Sequence, residues 1–412
     1  MVEILEAQRV ASLFKIEEPF TVEPFEGRGN INLDTLLVTA GTPPTAYLLQ
    51  KVNDRVFPMT DRVMQGMMAS IAAQSRAKAN RNDFRWEVPT LVETIENQPY
   101  LNHATGTWRL MRYIEGTVAY KSLSELSEER RYEAAFEVGR GLAIYTELTS
   151  DIEPSQLKSA LPGYRNTKVY FDQLDSSLAG HRDVSAGPSL PEDPEIRTAC
   201  ESHFYTPLSE EEWQSRHTDP ELQPYIDMAL KNRELGMSIF SARLAGEVRT
   251  TAIHGDTKIE NFLFDARSGE VLALVDLDTI MPYTWLADWG DMVRSLVNVA
   301  GEKERDLSQV QVDQSIYDAV SEGFRSVATT FPENERALMP RAVEVIALEL
   351  GVRFLSDYLR GDTYFRLGPN DPSDLNKARA MVQLTLFDRL RNLQTPNRIQ
   401  FAVTEPTPRV HS

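Results

Sequence analysis

Short apolar runs punctuated by Gly, Pro and Asn fill the first part of the chain, whereas beyond residue 116 apolar residues recur mainly at helical spacing. After a short helical start over residues 3–13, residues 21–38 read as strand-like runs around a turn containing Gly27 and Gly29. Gly41 and the following Thr-Pro-Pro mark the next turn, and residues 46–52 form a compact apolar strand bearing Gln50 and Lys51 near its end. Residues 64–73 favour a helix, and further strands are predicted over 90–93 and 108–114.

The second part predicts a long helix over 124–149, with Tyr132, Phe136, Gly139, Leu142 and Ala143 on one buried face. Helical texture returns over 226–244, 310–331, 341–359 and 374–393, and the tail from Thr395 reads as extended. By composition, residues 185–194 form a loop and residues 209–224 are polar and irregular. No internal repeat is visible. The pattern therefore predicts an α+β chain in two parts, 1–114 and 115–412, the first small and β-rich and the second larger and mainly helical.

One stretch interrupts the helical half. Residues 250–253 are strand-like and run into His254-Gly-Asp-Thr-Lys-Ile-Glu-Asn261, after which runs at 262–264 and 271–275 flank a turn at 266–269. The second run delivers Asp276. Phosphoryl transfer needs a carboxylate to accept the proton of an attacking hydroxyl, and oxygen ligands for Mg ions that hold the phosphates. The spacing H-x-D-x-x-x-x-N offers Asp256 for the first task and Asn261, with Asp276, for the second. Asp278 lies on the same side of an extended chain, as a ligand near a second metal or a group orienting a substrate hydroxyl. His254 fits a structural role that fixes the loop, and Lys258 either neutralises charge on the transferred phosphate or is solvated.

Against this centre the first part takes on meaning. A Gly turn, a strand with Gln50 and Lys51, a helix, and a strand entering Met111-Arg-Tyr-Ile114 follow the order in which a nucleotide-clamping lobe is built. Gly27, Gly29 and Asn32 would then face phosphates, and Met111, Tyr113 and Ile114 would form a hinge beside adenine. A Gly turn and an edge strand are also ordinary structural features.

Composition narrows the classes. The chain is 42% hydrophobic and 25% charged, an ordinary globular balance. A net charge of -18 opposes a large nucleic-acid footprint. The single cysteine, Cys200, excludes an intrachain disulfide and a multi-cysteine metal site. No apolar run approaches the roughly 20 residues of a membrane span, and the start lacks a basic and apolar leader, so a cytoplasmic protein without membrane partners is expected.

With those residues in place, the chain resembles the aminoglycoside phosphotransferase and choline kinase superfamily, and within it the N-acetylhexosamine 1-kinase type. The resemblance is carried by GRGNINLDTLLV (27–38), YLLQKVNDRVF (47–57), LPGYRNT (161–167), HGDTKIENFLFD (254–265), VDLDTIMP with LADWGDMVR (275–294) and ELGVRFLSDYLRGDTYF (349–365). It implies a bilobal protein-kinase-like fold, ATP and Mg2+ as cofactors, Asp256 as base, Asn261 and Asp276 on Mg, and Asp288 bracing the loop. Arg353 resembles a sugar-binding arginine, joined by Tyr364, although a helix pair with Glu349 is an equal alternative.

Two departures stand out. The helix after residue 52 has no acidic residue beyond Asp61 to pair with a strand lysine, leaving Gln50 or Lys51 to assist metal and loop amides, and the stretch 185–224 is longer than the family needs. The expected reaction is transfer of the ATP γ-phosphoryl group to a small molecule, the anomeric hydroxyl of an N-acetylhexosamine or related sugar, by a monomer or homodimer. The alternatives are a kinase of another hydroxyl compound, such as an aminoglycoside, choline-like amino alcohol or natural product, and a catalytically silent nucleotide-binding protein. The intact Asp256, Asn261 and Asp276 oppose silence.

Overall fold

The computed structural model describes residues 3–26, 32, 34–81, 83–183, 185, 187–328, 331–368 and 370–393. Five antiparallel strands, β1 (Phe20–Pro24), β2 (Thr35–Ala40), β3 (Thr45–Lys51), β4 (Leu101–His103) and β5 (Gly106–Arg112), form a sheet in the order β1-β2-β3-β5-β4. Period-2 alternation puts Leu36, Val38, Leu49, Trp108 and Leu110 on one face, where α1 (Ile4–Ala11) covers them with Ala7, Val10 and Ala11. Residues 90–93 are not a regular strand: bracketed by Pro89 and Pro99, the segment meets the sheet at a single bridge between Leu91 and Met111, made by the Val92 N–H on Leu110 O and the Arg112 N–H on Thr90 O. The edge strand is β4 instead.

Helix α2 (Thr60–Lys78) is longer than the predicted 64–73. Its buried residues, Val63, Met64, Met67, Ser70, Ala73 and Gln74, recur at helical spacing. Its apolar face, with Val52 and Phe57, joins the large helical core and not the sheet's own, so apolar packing does not divide at residue 114.

The larger part comprises β6 (Thr117–Val118), α3 (Glu128–Leu148), α4 (Thr167–Ala179), α5 (Pro194–Cys200), α6 (Glu210–His217), α7 (Gln223–Lys231), α8 (Arg233–Leu244), β7 (Thr251–Ile253), β8 (Phe262–Asp265), β9 (Val271–Leu274), β10 (Met281–Tyr283), α9 (Trp285–Val297), α10 (Gln314–Val327), α11 (Glu333–Arg336), α12 (Met339–Arg360) and α13 (Leu375–Leu393). The ribbon β7/β10 and the sheet β6-β8-β9 lie among these helices. Among the described residues, no helix is long and apolar enough to cross a membrane.

Residues 187–224 are more ordered than their composition suggests. Asp193 accepts N–H bonds from Glu195 and Ile196 to start α5, and Ser209 with Glu212 forms a capping box that starts α6. Local caps thus override a polar composition. Leu190, Ile196, Cys200 and Phe204 then pack with Val169. The run over 226–244 is two helices, α7 and α8, divided at Asn232, whose side chain bonds Met228 O and accepts from Arg391.

Helices α3 and α10 touch at two glycines. A Cβ at Gly139 would overlap the Val320 carbonyl, and one at Gly323 would overlap that of Phe136. Backbone has little room to yield, so Gly323→Ala is expected to destabilise the fold by about 2–3 kcal/mol, read as a lower denaturant midpoint with little change in m-value.

Candidate functional site

Ribbon β7/β10 delivers the loop that begins at His254, and the first turns of α9 hold it. Asp288 accepts the N–H of His254 at 2.7 Å on one oxygen and that of Gly255 at 2.8 Å on the other. The Thr257 hydroxyl donates to Asp288 O at 2.6 Å, and the Thr257 N–H to Asp291 at 3.2 Å. Burial pushes the Asp288 carboxyl up to about 7, against the two N–H bonds that favour its charge. Asp291 shows the opposite balance: burial raises its pKa, but Arg294 and Arg165 outweigh it and hold the group at about 2. Gly255 sits at φ +88, and a Cβ there would meet Thr279 O at 2.7 Å, so only glycine fits.

His254 is fully buried and donates through Nε2 to Val275 O at 2.9 Å, which leaves Nδ1 to accept the Asp256 N–H at 3.3 Å. Burial lowers its pKa, so it serves as a neutral spacer between the loop and β9.

Asp256 and Asn261 meet as their spacing predicts. The Asn261 amide donates to Asp256 O at 2.7 Å and to Asp256 Oδ2 at 3.1 Å, and Lys258 Nζ lies 3.1 Å from the same Oδ2. Among the described residues, Asp256 Oδ1 accepts no hydrogen bond. Lys258 also pairs with Glu260 at 3.3 Å; burial opposes its charge, but Asp256 and Glu260 outweigh burial and hold it protonated.

Asp276 adopts the left-handed conformation, φ 65° and ψ 57°, which is costly for a residue with a side chain. Burial, then Asp278 and Asp256, push its carboxyl up to about 7. Its carboxylate accepts no hydrogen bond and pairs with no cation among the described residues. With the Asn261 NH2 group spent on Asp256, the Asn261 Oδ1 and the Asp276 carboxylate are the hard oxygen donors left over, a set that fits Mg2+.

Other expected residues fall elsewhere. Gly27 and Gly29 lie outside the described residues. Asp278, expected near a second metal, is buried and each of its oxygens already accepts a bond, one from Asn32 Nδ2 at 2.7 Å and the other from Arg109. Gln50 bonds Arg109 Nε at 3.1 Å and Thr35 at 3.2 Å instead of reaching phosphates, and Lys51, on the opposite strand face, lies against the turn at Gly106. In the predicted hinge, Met111 pairs with Leu48 in the sheet, the Tyr113 N–H is committed to Ala46 O, and Ile114 O accepts the Thr117 hydroxyl. The Tyr113 amide is therefore not free for an adenine. Arg109 was absent from the sequence reading, since one arginine inside a strand gives no signal of its partner.

On the far side of the loop, Gly255 O accepts from Tyr164 OH at 2.8 Å and Arg165 at 2.9 Å. Arg165 and Thr167 bind the Glu349 carboxylate, so Glu349 is not the partner of Arg353. The Arg353 guanidinium lies 4.9–5.6 Å from the ring centroids of Tyr164, Tyr170, Tyr364 and Phe365, with only a long 3.5 Å bond to Tyr364 OH. Asp357 shapes this wall by accepting the N–H groups of Thr363, Tyr364 and Phe365 at 3.1, 2.9 and 2.7 Å. His203, from the ordered 187–224 stretch, meets Tyr364 edge-on at 5.2 Å. The sequence named Arg353 and Tyr364, but neither Asp357 nor His203.

Comparison with known proteins adds family and fold. The phosphotransferase enzyme family matches residues 79–310, more than half of the chain. Among solved structures, the microcompartment-associated aminopropanol kinase superposes with a TM-score of 0.55 at 12% identity, covering 95% of this chain and 98% of that one. An aminoglycoside phosphotransferase from Alicyclobacillus acidocaldarius superposes with a TM-score of 0.51 at 15% identity, covering 95% and 96%. The two-lobed kinase-like architecture is thereby shared.

Asp288→Ala would leave two buried N–H groups unpaired. It is expected to cost about 2–5 kcal/mol of stability in a denaturant titration, with Asp288→Asn, which keeps one acceptor, losing less.

Proposed function

Because the chain belongs to the phosphotransferase enzyme family, we propose that it moves the γ-phosphoryl group of ATP to a hydroxyl of a neutral, hydroxyl-rich small molecule, the anomeric hydroxyl of an N-acetylhexosamine or related sugar. The observation that carries the reading is the meeting of Asp256, Asn261 and Asp276 on a loop braced by Asp288. Asp256 Oδ1, free of partners among the described residues, takes the acceptor proton as the acceptor oxygen bonds to phosphorus and the bond to ADP breaks. Lys258 and the Asn261 amide hold Oδ2, so only one oxygen turns to the acceptor. Asn261 Oδ1 and Asp276 would hold Mg2+, which when bound neutralises phosphate charge.

The acceptor class follows from Arg353. An empty aromatic cage would suit a quaternary ammonium, but here a guanidinium already fills it. A cationic acceptor placed about 5.5 Å away would meet a repulsion of about 3 kcal/mol at an effective dielectric of about 20. The free N–H groups of Arg353 instead suit hydroxyl or amide oxygens of a sugar. Kinase activity on an amino alcohol is the second reading, favoured by the fold shared with the aminopropanol kinase.

The deciding experiment incubates the protein with Mg-ATP and free sugars, N-acetylhexosamines, amino alcohols or aminoglycosides, and reads phosphorylated product by mass. Phosphorylation of amino alcohols alone would overturn the neutral acceptor, and no product from any class would overturn the sugar reading.

Two variants refine it. Asp256→Asn is expected to lower kcat by about 10²–10⁴ while the KM for ATP stays within about threefold. Asp357→Ala, which frees the loop bearing Tyr364 and Phe365, is expected to raise the acceptor KM by about tenfold with the ATP KM unchanged, in steady-state assays.

A further inference from the structure

Asp278 is held by protein partners on both oxygens, and its surroundings define a task of their own. Arg109, 1% exposed, reaches from β5 to one oxygen of Asp278, which is 3% exposed. Arg109 Nε donates to Gln50 Oε1 at 3.1 Å, Gln50 Nε2 to Thr35 Oγ1 at 3.2 Å, and the Thr35 hydroxyl to Asn32 O at 2.7 Å. Asn32 Nδ2 then donates to the other Asp278 oxygen at 2.7 Å, closing the circuit. Asn32 also accepts the Asn53 N–H at 3.1 Å, which ties it to the strand exit.

Five side chains thus join three strands of the sheet and the chain at Asn32 to the loop after β9. Its one C-terminal member stands two residues from Asp276. From the other side, the Val275 N–H bonds Asn261 O at 2.9 Å. Asp276 is therefore suspended between two anchors, in a conformation that tolerates little drift. Helix α2 contributes no carboxylate here: its only acidic residue, Asp61, is in the first turn, and Met67 meets Arg109 through sulfur at 3.7 Å.

We propose that Arg109 is a positioning residue that, through Asp278 and Asn32, sets Asp276 in one frame with strands β2, β3 and β5, so that the sheet places the Mg-nucleotide side of the site. Resting on the kinase reading above, the inference assigns Arg109 to the Mg-nucleotide side and not to the acceptor side. Removing either end of the pair would misplace Asp276 without touching Asp256 or Arg353.

The test uses the full chain, with Mg-ADP affinity by calorimetry and steady-state kinetics for both substrates. Arg109→Met and Asp278→Asn are each expected to weaken Mg-ADP and lower kcat/KM for Mg-ATP by about 10²-fold, with the acceptor KM within about threefold. The double variant should be no worse than the poorer single one, because the two residues act as one unit. Arg109→Lys should regain about tenfold over Arg109→Met, because the cation is kept while the fork is lost.

Independent, multiplicative losses would overturn the inference, as would wild-type Mg-ADP affinity in Arg109→Met. Should Arg109→Met fail to fold, Asn32→Ala decides, since it strands no full charge: a loss of about tenfold in Mg-ADP affinity is expected, and an unchanged affinity sinks the proposal. Full turnover in Asp256→Asn alongside weakened Mg-ADP in Arg109→Met would remove the base assignment and leave Arg109 in place. The reverse pattern would remove Arg109 alone.

Discussion

The grip of α9 on the loop ahead of Asp256 is the constraint on which the rest depends. Asp288 and Asp291 sit at the start of a buried helix and take three backbone N–H groups from residues 254–257. A loop cannot satisfy its own inward N–H groups, and a carboxylate with two oxygens is the most compact group that can accept two of them. Burying that charge is unfavourable, as the raised pKa of Asp288 records, and the bonds it collects are the compensation.

From Asp291 an alternating chain of charges runs outward. Arg294 bonds Asp291 at 2.6 Å and faces Glu302 at 3.5 Å; Glu302 bonds Arg379, whose guanidinium lies 3.8 Å from the Phe354 ring centroid and 5.3 Å from that of Phe365. Phe365 in turn borders Arg353. Between the Asp256 loop and the aromatic wall around Arg353, in a protein of net charge -18, Arg294 and Arg379 are each opposed by a carboxylate. Arg353 differs from them: it is ringed by aromatics and paired with no acid among the described residues.

Local pattern carried much of this. The H-x-D-x-x-x-x-N spacing and the following hairpin located the loop because a short loop leaves few ways to arrange Asp256 and Asn261, and long apolar periodicities located α3, α12 and α13. What escaped was long-range or local in an unnoticed way. Arg109 and Asp278 are far apart in the chain, and nothing in either neighbourhood names the other. Alternation gave the side of the chain on which Asp278 lies, not the Arg109 and Asn32 that meet it there. The helices within 194–217 were lost to average polarity, although Asp193, Ser209 and Glu212 carried the capping signal. The strand predicted over 90–93 is likewise reduced to one bridge, and β4 pairs with β5 in its place.

That overlooked stretch reaches further than its composition suggests. Arg216 bonds Tyr358 O at 2.5 Å and Asp362 at 2.6 Å, Thr206 bonds Arg360 O at 3.2 Å, and Arg360 bonds Ser202 O at 3.1 Å, so the segment splints the end of α12 where the acceptor wall begins. A splint outside the chemistry can be reshaped at little risk to it. On the function proposed above, changes of length or sequence there would act through the end of α12 on the residues around Arg353, and so on the choice of acceptor.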